Sequence, residues 1–211
     1  MPLLSDILVG RLSLYRRLLA EVAASGTTHI FSHQLANMAG CTPAQVRRDV
    51  MQIGYSGSPA RGYDVRELAE SIGELLDADV PAGMALVGVG NLGRAILCHF
   101  VGRTPKFAIE AAFDTDPAKT GRVICGCRCH PVSRLEEELR ARDIQVALVA
   151  VPKEAAQETA DALCAAGVRG LVNFAPVRLY VPEGVYVENV DVTMALERVA
   201  YFSRERMAER V

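Results

Sequence analysis

Gly88-Val89-Gly90-Asn91-Leu92-Gly93 decides the fold of this chain. Met84-Ala85-Leu86-Val87 precedes it and Arg94-Ala95-Ile96-Leu97 follows, an order that reads strand, glycine-rich turn, helix. Each glycine has its own physical reason. Gly88 permits the tight turn, Gly90 lets a pyrophosphate approach the backbone, and Gly93 lets the helix pack on the strand. The phosphates meet the unpaired N–H groups and the positive dipole end of the new helix. Glycine turns are common, so the motif alone is weak. Its flanks make Gly88, Val89, Gly90, Asn91, Leu92 and Gly93 a candidate dinucleotide cradle.

Downstream, residues 107–113 read as the next strand, ending in Asp114-Thr115-Asp116-Pro117. An acid in that place is expected to bind ribose hydroxyls, and Asp114 would repel a 2′-phosphate. No arginine follows at once, so NAD(H) is favoured over NADP(H); Asp116 reads as a turn former. Residues 133–143 form a charged helix and 144–151 an apolar strand closed by Val151-Pro152. A helix over 153–166, a strand over 168–174 before Ala175-Pro176, and a short strand over 185–190 complete the alternation. The pattern predicts an α/β, Rossmann-type doubly wound parallel sheet. Ligands on such sheets lie beyond the carboxyl ends of the strands, which adds Val151, Pro152, Asn173, Ala175, Pro176 and Asp191 to the cofactor-binding candidates. A last helix, about 192–210, carries an apolar face of Leu196, Val199, Phe202 and Met207, to be laid on its own sheet or into a partner subunit.

The first eighty residues read differently. Leu8, Leu12, Tyr15, Leu18, Leu19 and Val22 recur at helical spacing, so residues 6–24 form an amphipathic helix. Ser32 is the expected cap of a short helix over 33–39, ended by Gly40. Thr42-Pro43-Ala44-Gln45 starts another, with Thr42 as cap, Pro43 at the first helical position and Gln45 completing a capping box. Two short helices around a glycine turn, the second carrying Gln45, Arg47 and Arg48, read as a helix-turn-helix. Residues 54–63, rich in Gly, Ser and Pro, suit the wing, with Arg61 on phosphate or in a minor groove. Residues 1–63 hold six arginines against three acids, a balance of +3 that leaves −5 for the rest of a chain whose total is −2. That total argues against nucleic-acid binding over the whole surface, not against a local basic face. Residues 64–76 are a further amphipathic helix. The expected domains are a winged-helix unit over 1–80, a Rossmann unit over 81–190 and a C-terminal helix over 191–211.

No apolar run approaches a membrane helix and no leader is apparent, so a cytoplasmic protein is expected. The six cysteines are scattered, which favours reduced thiols over a disulfide framework. Cys125, Cys127 and Cys129 alternate, a spacing that would set three thiols on one strand face. Paired metal-ligand spacing is lacking, so no metal is expected. Hydride-transfer chemistry would need a substrate pocket and a proton donor. No substrate domain is in sight, so sensing accounts for the nucleotide better than turnover does. An NAD-dependent oxidoreductase, or a binder of CoA or another nucleotide, remains the alternative.

Arg11, Tyr15 and Arg17, then residues 42–49 (Thr-Pro-Ala-Gln-Val-Arg-Arg-Asp), 61–65, 87–95, 113–117, 151–157, 172–177 (Val-Asn-Phe-Ala-Pro-Val) and 188–191 (Glu-Asn-Val-Asp) together resemble the Rex family of bacterial redox-sensing repressors. The likeness covers nearly the whole chain in order. It implies a homodimer with winged-helix and Rossmann domains and exchanged C-terminal helices. It also implies one site for NAD+ and NADH, repression from an inverted-repeat operator while NADH is scarce, and release when NADH binds. Arg17, His99 and Asp191 fall at positions of an interdomain switch in that family. The chain departs from the pattern at Ser58-Pro59-Ala60 in the wing and at Gln52 where Tyr is usual. It departs again at His99, also in place of Tyr, and at Val192, in place of an aromatic.

Overall fold

A computed structural model describes residues 4–77, 83–100 and 107–208, with side chains through Arg204. Its contacts divide the chain into two units, residues 1–80 and 81–211.

In the first unit, α1 (Asp6–Ala24) presents Leu8, Leu12, Tyr15 and Leu19 to the core. Helices α2 (Ser32–Ala39) and α3 (Pro43–Gln52) follow, then α4 (Val65–Leu76). Gly40 takes the left-handed conformation (φ 65°) that ends α2 and turns the chain into α3. Thr42 caps α3 by accepting from the Gln45 N–H (3.2 Å), and Pro43 opens it. Two expectations about caps are corrected. Ser32 lies inside α2; Phe31 holds the cap position, and its N–H donates to the Gln34 side chain (2.8 Å). The Gln45 side chain does not return to the Thr42 N–H; it turns along α3, where its amide nitrogen donates to the buried Asp49 at 2.7 Å. The wing forms through Ser58 and Gly62, which exchange backbone hydrogen bonds of 2.7 Å. Beyond them β2 (Tyr63–Asp64) pairs antiparallel with β1 (His29–Ile30). Gly62 sits at φ 81° against the Ile30 carbonyl, where a Cβ would collide.

In the second unit the strands are β3 (Gly83–Val87), β4 (Ala108–Asp114), β5 (Val123–Ile124), β6 (Cys127–Pro131), β7 (Val146–Val149), β8 (Gly170–Asn173) and β9 (Tyr186–Asn189). They lie in the order β5-β6-β4-β3-β7-β8-β9, parallel except for β5. Without that edge strand this is the doubly wound order, and it reverses direction between β4 and β7, on either side of β3. Alternation along each strand feeds two cores. Ala85, Val87, Phe113, Ala147 and Val149 face α6 (Leu135–Ala141) and α7 (Lys153–Ala165). Met84, Leu86, Ala112 and Leu148 pack with Leu97 of α5 (Asn91–Phe100). A 3-10 turn, Val132–Arg134, precedes α6.

The cysteine expectations are corrected here. Cys127 and Cys129 point inward from β6, but Cys125 belongs to the turn before it and is disulfide-bonded to Cys98. The three thiols therefore do not share one face. Helix α8 (Val192–Ala208) is also decided in one respect. Residues 192–204 are all exposed, so α8 does not lie on its own sheet; the Met207 side chain falls outside the described residues.

Candidate functional site

The glycine loop joins β3 to α5 over the carboxyl end of the sheet. Gly88 has φ 94° and lies against the Ala150 carbonyl of the neighbouring β7 connection, so a side chain is excluded twice over. A Cβ on Gly93 would strike the Gly88 carbonyl, which is the close helix–strand approach the motif provides. A Cβ on Gly90 would meet nothing within 4 Å. That open side is where a phosphate needs to reach the backbone, beside the unpaired N–H groups of the first turn of α5.

Asp114 braces this loop from the end of β4. Its Oδ2 accepts from the Val89 N–H (2.8 Å) and from Lys119 Nζ (3.1 Å), and its Oδ1 accepts from the Asp116 N–H (2.8 Å). Burial pushes the carboxyl up, but the Asp116 and Val89 N–H groups and the Lys119 ammonium outweigh it and hold Asp114 below the usual carboxylate range. An ionised acceptor therefore stands at the end of β4, beside the glycine loop. Asp116 makes the turn, accepting from Ala118 N–H (2.9 Å), and this folds Lys119 back toward Asp114. A cleft of about 300 Å³ opens here, lined by Gly88, Gly90, Asp114, Val151 and Pro152, with Val132 and Leu135 on one wall and Glu158 and Thr159 of α7 on another.

Beyond β8 and β9 a recess of about 450 Å³ is lined by Ala175, Pro176, Asn189, Asp191 and Met194. Asn173 lies beneath it and is almost fully buried. Its amide donates to the Ala175 and Val177 carbonyls and to Asn189, and its oxygen accepts from the Ala175 N–H. These bonds hold the loop after β8 against β9, so Asn173 sets the recess wall from below. Asp191 caps α8, accepting from the Met194 N–H at 2.9 Å. Val89, expected on the cradle, is buried, and its backbone N–H is the group in use, whereas Asn91 and Leu92 are exposed. His99 is exposed near the end of α5.

In the N-terminal unit, α3 and the wing flank a groove of about 350 Å³ lined by Ser32, Arg47, Met51, Ser56 and Pro59 among others. Arg47, Arg48 and Arg61 are exposed; Arg47 donates to Ser32 Oγ (3.1 Å). Arg17 is exposed on α1. Two arginines of the basic balance are held internally, Arg16 by Asp77 (2.8 Å) and Arg11 by Asp49. Asp49, fully buried, accepts from Arg11 Nε (2.6 Å) and Nη2 (2.8 Å), Tyr15 (2.9 Å) and Gln45 (2.7 Å). The three bonds from Arg11 and Tyr15 clamp α3 to α1, while Gln45 holds the carboxylate from within α3. Among the described residues no group of His, Cys, Asp and Glu is arranged to hold a metal ion, and no helix is long and apolar enough to cross a membrane.

Residues 4–50 match the model of a putative DNA-binding protein N-terminus, and residues 79–177 match a CoA binding domain. The redox-sensing transcriptional repressor Rex of Rhodopirellula baltica is 41% identical over 96% of this chain and 86% of its own. That of Syntrophobacter fumaroxidans is 40% identical over 90% and 91%. A crystal structure of RSP, a Rex-family repressor, in complex with NAD+ and operator DNA superposes with a TM-score of 0.90 at 30% identity, over 100% of this chain and 97% of that one. A second RSP structure, in complex with NADH, gives 0.87.

The chain belongs to the Rex family. It is therefore a redox-sensing transcriptional repressor and not an enzyme, with the α/β fold read from its glycine loop. Against that family background, sequence reasoning missed four residues. Lys119 was hidden because the turn that returns it to Asp114 is made by local hydrogen bonds. Asp49 registered only as a charge, although its spacing from Gln45 (i, i+4) is a helical pairing signal. Glu158 and Thr159 of α7 line the cleft without belonging to any motif.

Proposed function

We propose that this Rex-family chain reads the NADH/NAD+ balance at the glycine loop and converts it into occupancy of an inverted-repeat operator. The observation that carries the reading is the Asp114-braced glycine loop. Each of its glycines does the separate job a dinucleotide demands, on a chain that also carries exposed arginines on a winged helix. The pyrophosphate lies along Gly88, Val89, Gly90, Asn91, Leu92 and Gly93, with the adenosine ribose at Asp114. The nicotinamide end extends past Val151 and Pro152 toward Asn173, Ala175, Pro176 and Asp191. Gln45, Arg47 and Arg48 meet base edges in the major groove, and Arg61 meets the backbone or minor groove. Arg17, His99 and Asp191 convert nucleotide state into the arrangement of the DNA-reading units. The protein acts as a cytoplasmic homodimer. Leu196, Val199 and Phe202 of α8, 64%, 68% and 61% exposed, are the apolar face that a second subunit covers. A helix of that length is marginal in water without tertiary packing, which supports this role.

A gel shift on an inverted-repeat operator tests the reading, with NAD+, NADH and CoA added separately. NADH releases the DNA, whereas NAD+ and CoA leave it bound. Equal effects of NAD+ and NADH would remove the redox reading while leaving the repressor. Release by CoA would give the site to the ligand for which the matched domain model is named.

A further inference from the structure

Strands β5 and β6 are joined by a two-residue turn, Cys125-Gly126, with φ of 46° and 79°. Positive φ at both positions is the hairpin turn whose twist matches the flanking strands. The turn lifts Cys125 away from the inward face that carries Cys127 and Cys129 and bonds its sulfur to that of Cys98 on α5. The two Cα atoms are 5.1 Å apart, within the span of a disulfide. Cys98 is exposed and Cys125 half-buried, so small reagents reach the pair. The other cysteines are placed for packing. Cys127 and Cys129 are buried, and burial pushes the Cys127 thiol up to about 11, away from the reactive thiolate. Cys41 lies beside Tyr15, and burial raises the Cys164 thiol on α7.

A protein that acts on DNA works where thiols are kept reduced, and disulfides found in that setting are mostly transient and redox-sensing. Exposed disulfides are also the labile ones. The location gives the pair leverage. Helix α5 begins at the glycine loop and ends at the disulfide, one rigid rod of roughly 15 Å. Between its last turn and the hairpin lies a cavity of about 160 Å³, lined by Leu97, Phe100, Ile109 and Cys127 among others. Side chains do not fill that gap, so the covalent link fixes the spacing across it.

We propose that Cys98 and Cys125 are a redox-active dithiol, oxidised by a hydroperoxide and reduced by a cellular thiol, which gives the protein a second redox input acting on the dinucleotide site. The coupling half of this inference rests on the function proposed above. The Cys98 thiolate attacks the peroxide oxygen, the O–O bond breaks, and a sulfenic acid and one water (or alcohol) result. The Cys125 sulfur then attacks the sulfenic sulfur, the S–S bond forms and a water leaves. Two thiols lose two electrons and two protons, and the peroxide takes them up. Thiol exchange returns the electrons and both protons, leaving the reductant as its disulfide.

The full-length protein is reduced, desalted and treated with stepwise equivalents of hydrogen peroxide, then alkylated and mapped by mass spectrometry. A Cys98–Cys125 link is expected to appear, to be reversed by reduced glutathione, and to be absent from Cys98→Ser and Cys125→Ser but retained in Cys164→Ser. The Kd for NADH is expected to differ between the oxidised and reduced forms by about five-fold or more, a typical coupling, and not to differ after peroxide treatment of Cys98→Ser. Failure of the link to form, its resistance to glutathione, or reversible formation with an unchanged NADH Kd overturns the proposal. Failure of the dinucleotide reading itself shows differently: reduced protein then does not bind NADH, whether or not it binds operator, and a link that forms and reverses still supports the dithiol.

Discussion

Two buried carboxylates, Asp49 and Asp114, are each kept ionised by donors that outweigh their burial. The place of Asp114 at the end of the second strand was legible, but its bracing of the Val89 N–H was not. The role of Asp49 was not legible, because its partners Arg11 and Tyr15 lie 38 and 34 residues away and periodicity carries no such information. For Asp49, burial raises the carboxyl, and the hydrogen bonds from Arg11, Gln45 and Tyr15 bring it below its ordinary value. A depressed folded-state pKa stabilises the fold above the unfolded value of about 3.9, and that stability is lost as pH falls through the folded value. Asp49→Asn leaves Arg11 facing no negative charge and is expected to cost the N-terminal unit about 3 kcal/mol near neutral pH, at the lower end for a broken buried pair. In thermal melts the wild-type transition is expected to fall between about pH 5 and pH 2, while that of the variant is lower at neutral pH and flatter over the acid range. Parallel pH curves for the two proteins would show that the clamp carries no such linkage.

At the scale of elements, what was legible followed from local chemistry. The glycine loop, the Thr42-Pro43 start of α3 and the 3.6-residue period of α1 declare themselves within a few residues. Strands β1 and β2 did not, since each is two residues long and takes its identity from a partner more than thirty positions away. The β5–β6 hairpin was missed because Cys125 occupies a left-handed position where Asn or Gly is the usual signal. The Ser32 cap failed because the Gln34 side chain bonds the Phe31 N–H, while Ser32 accepts from Arg47 instead. Helix α8 was legible as a helix but not as to its neighbour; its uniform exposure removes its own sheet from the choice. Placing charge on that face, as Leu196→Glu with Phe202→Glu, is expected to convert the protein to a species of 22.8 kDa in analytical ultracentrifugation. Loss of the interface also removes simultaneous reading of two half-sites, so operator affinity falls by about 10²-fold or more. A variant that remains a dimer would assign the subunit contact to another surface.

At the scale of the whole molecule, the protein is a device for linkage between two ligands that need never touch. The −5 balance beyond residue 63 repels DNA from the sensing part, while the exposed Arg17, Arg47, Arg48 and Arg61 of the +3 part attract it. That charge division favours DNA binding at the N-terminal part. Thermodynamics then fixes a relation that no structural detail alters: the factor by which saturating NADH weakens operator binding equals the product, over the two nucleotide sites of the dimer, of the factors by which operator weakens NADH binding. Moving the operator from about 99% bound to about 1% bound through one two-state change needs a differential of roughly 5.5 kcal/mol, or about 10⁴-fold. The expectation is that the operator Kd, measured with and without saturating NADH, shifts by the square of the factor by which saturating operator shifts the per-site NADH Kd, in one buffer. Arg61→Ala supplies the control for which part of the molecule carries the coupling. If Arg61 holds a phosphate as proposed, its removal lowers the salt slope of operator binding by about one and weakens affinity across sequences, yet leaves the factor by which NADH shifts operator binding unchanged. A change in that factor on losing Arg61 would place the wing inside the switch rather than at its output.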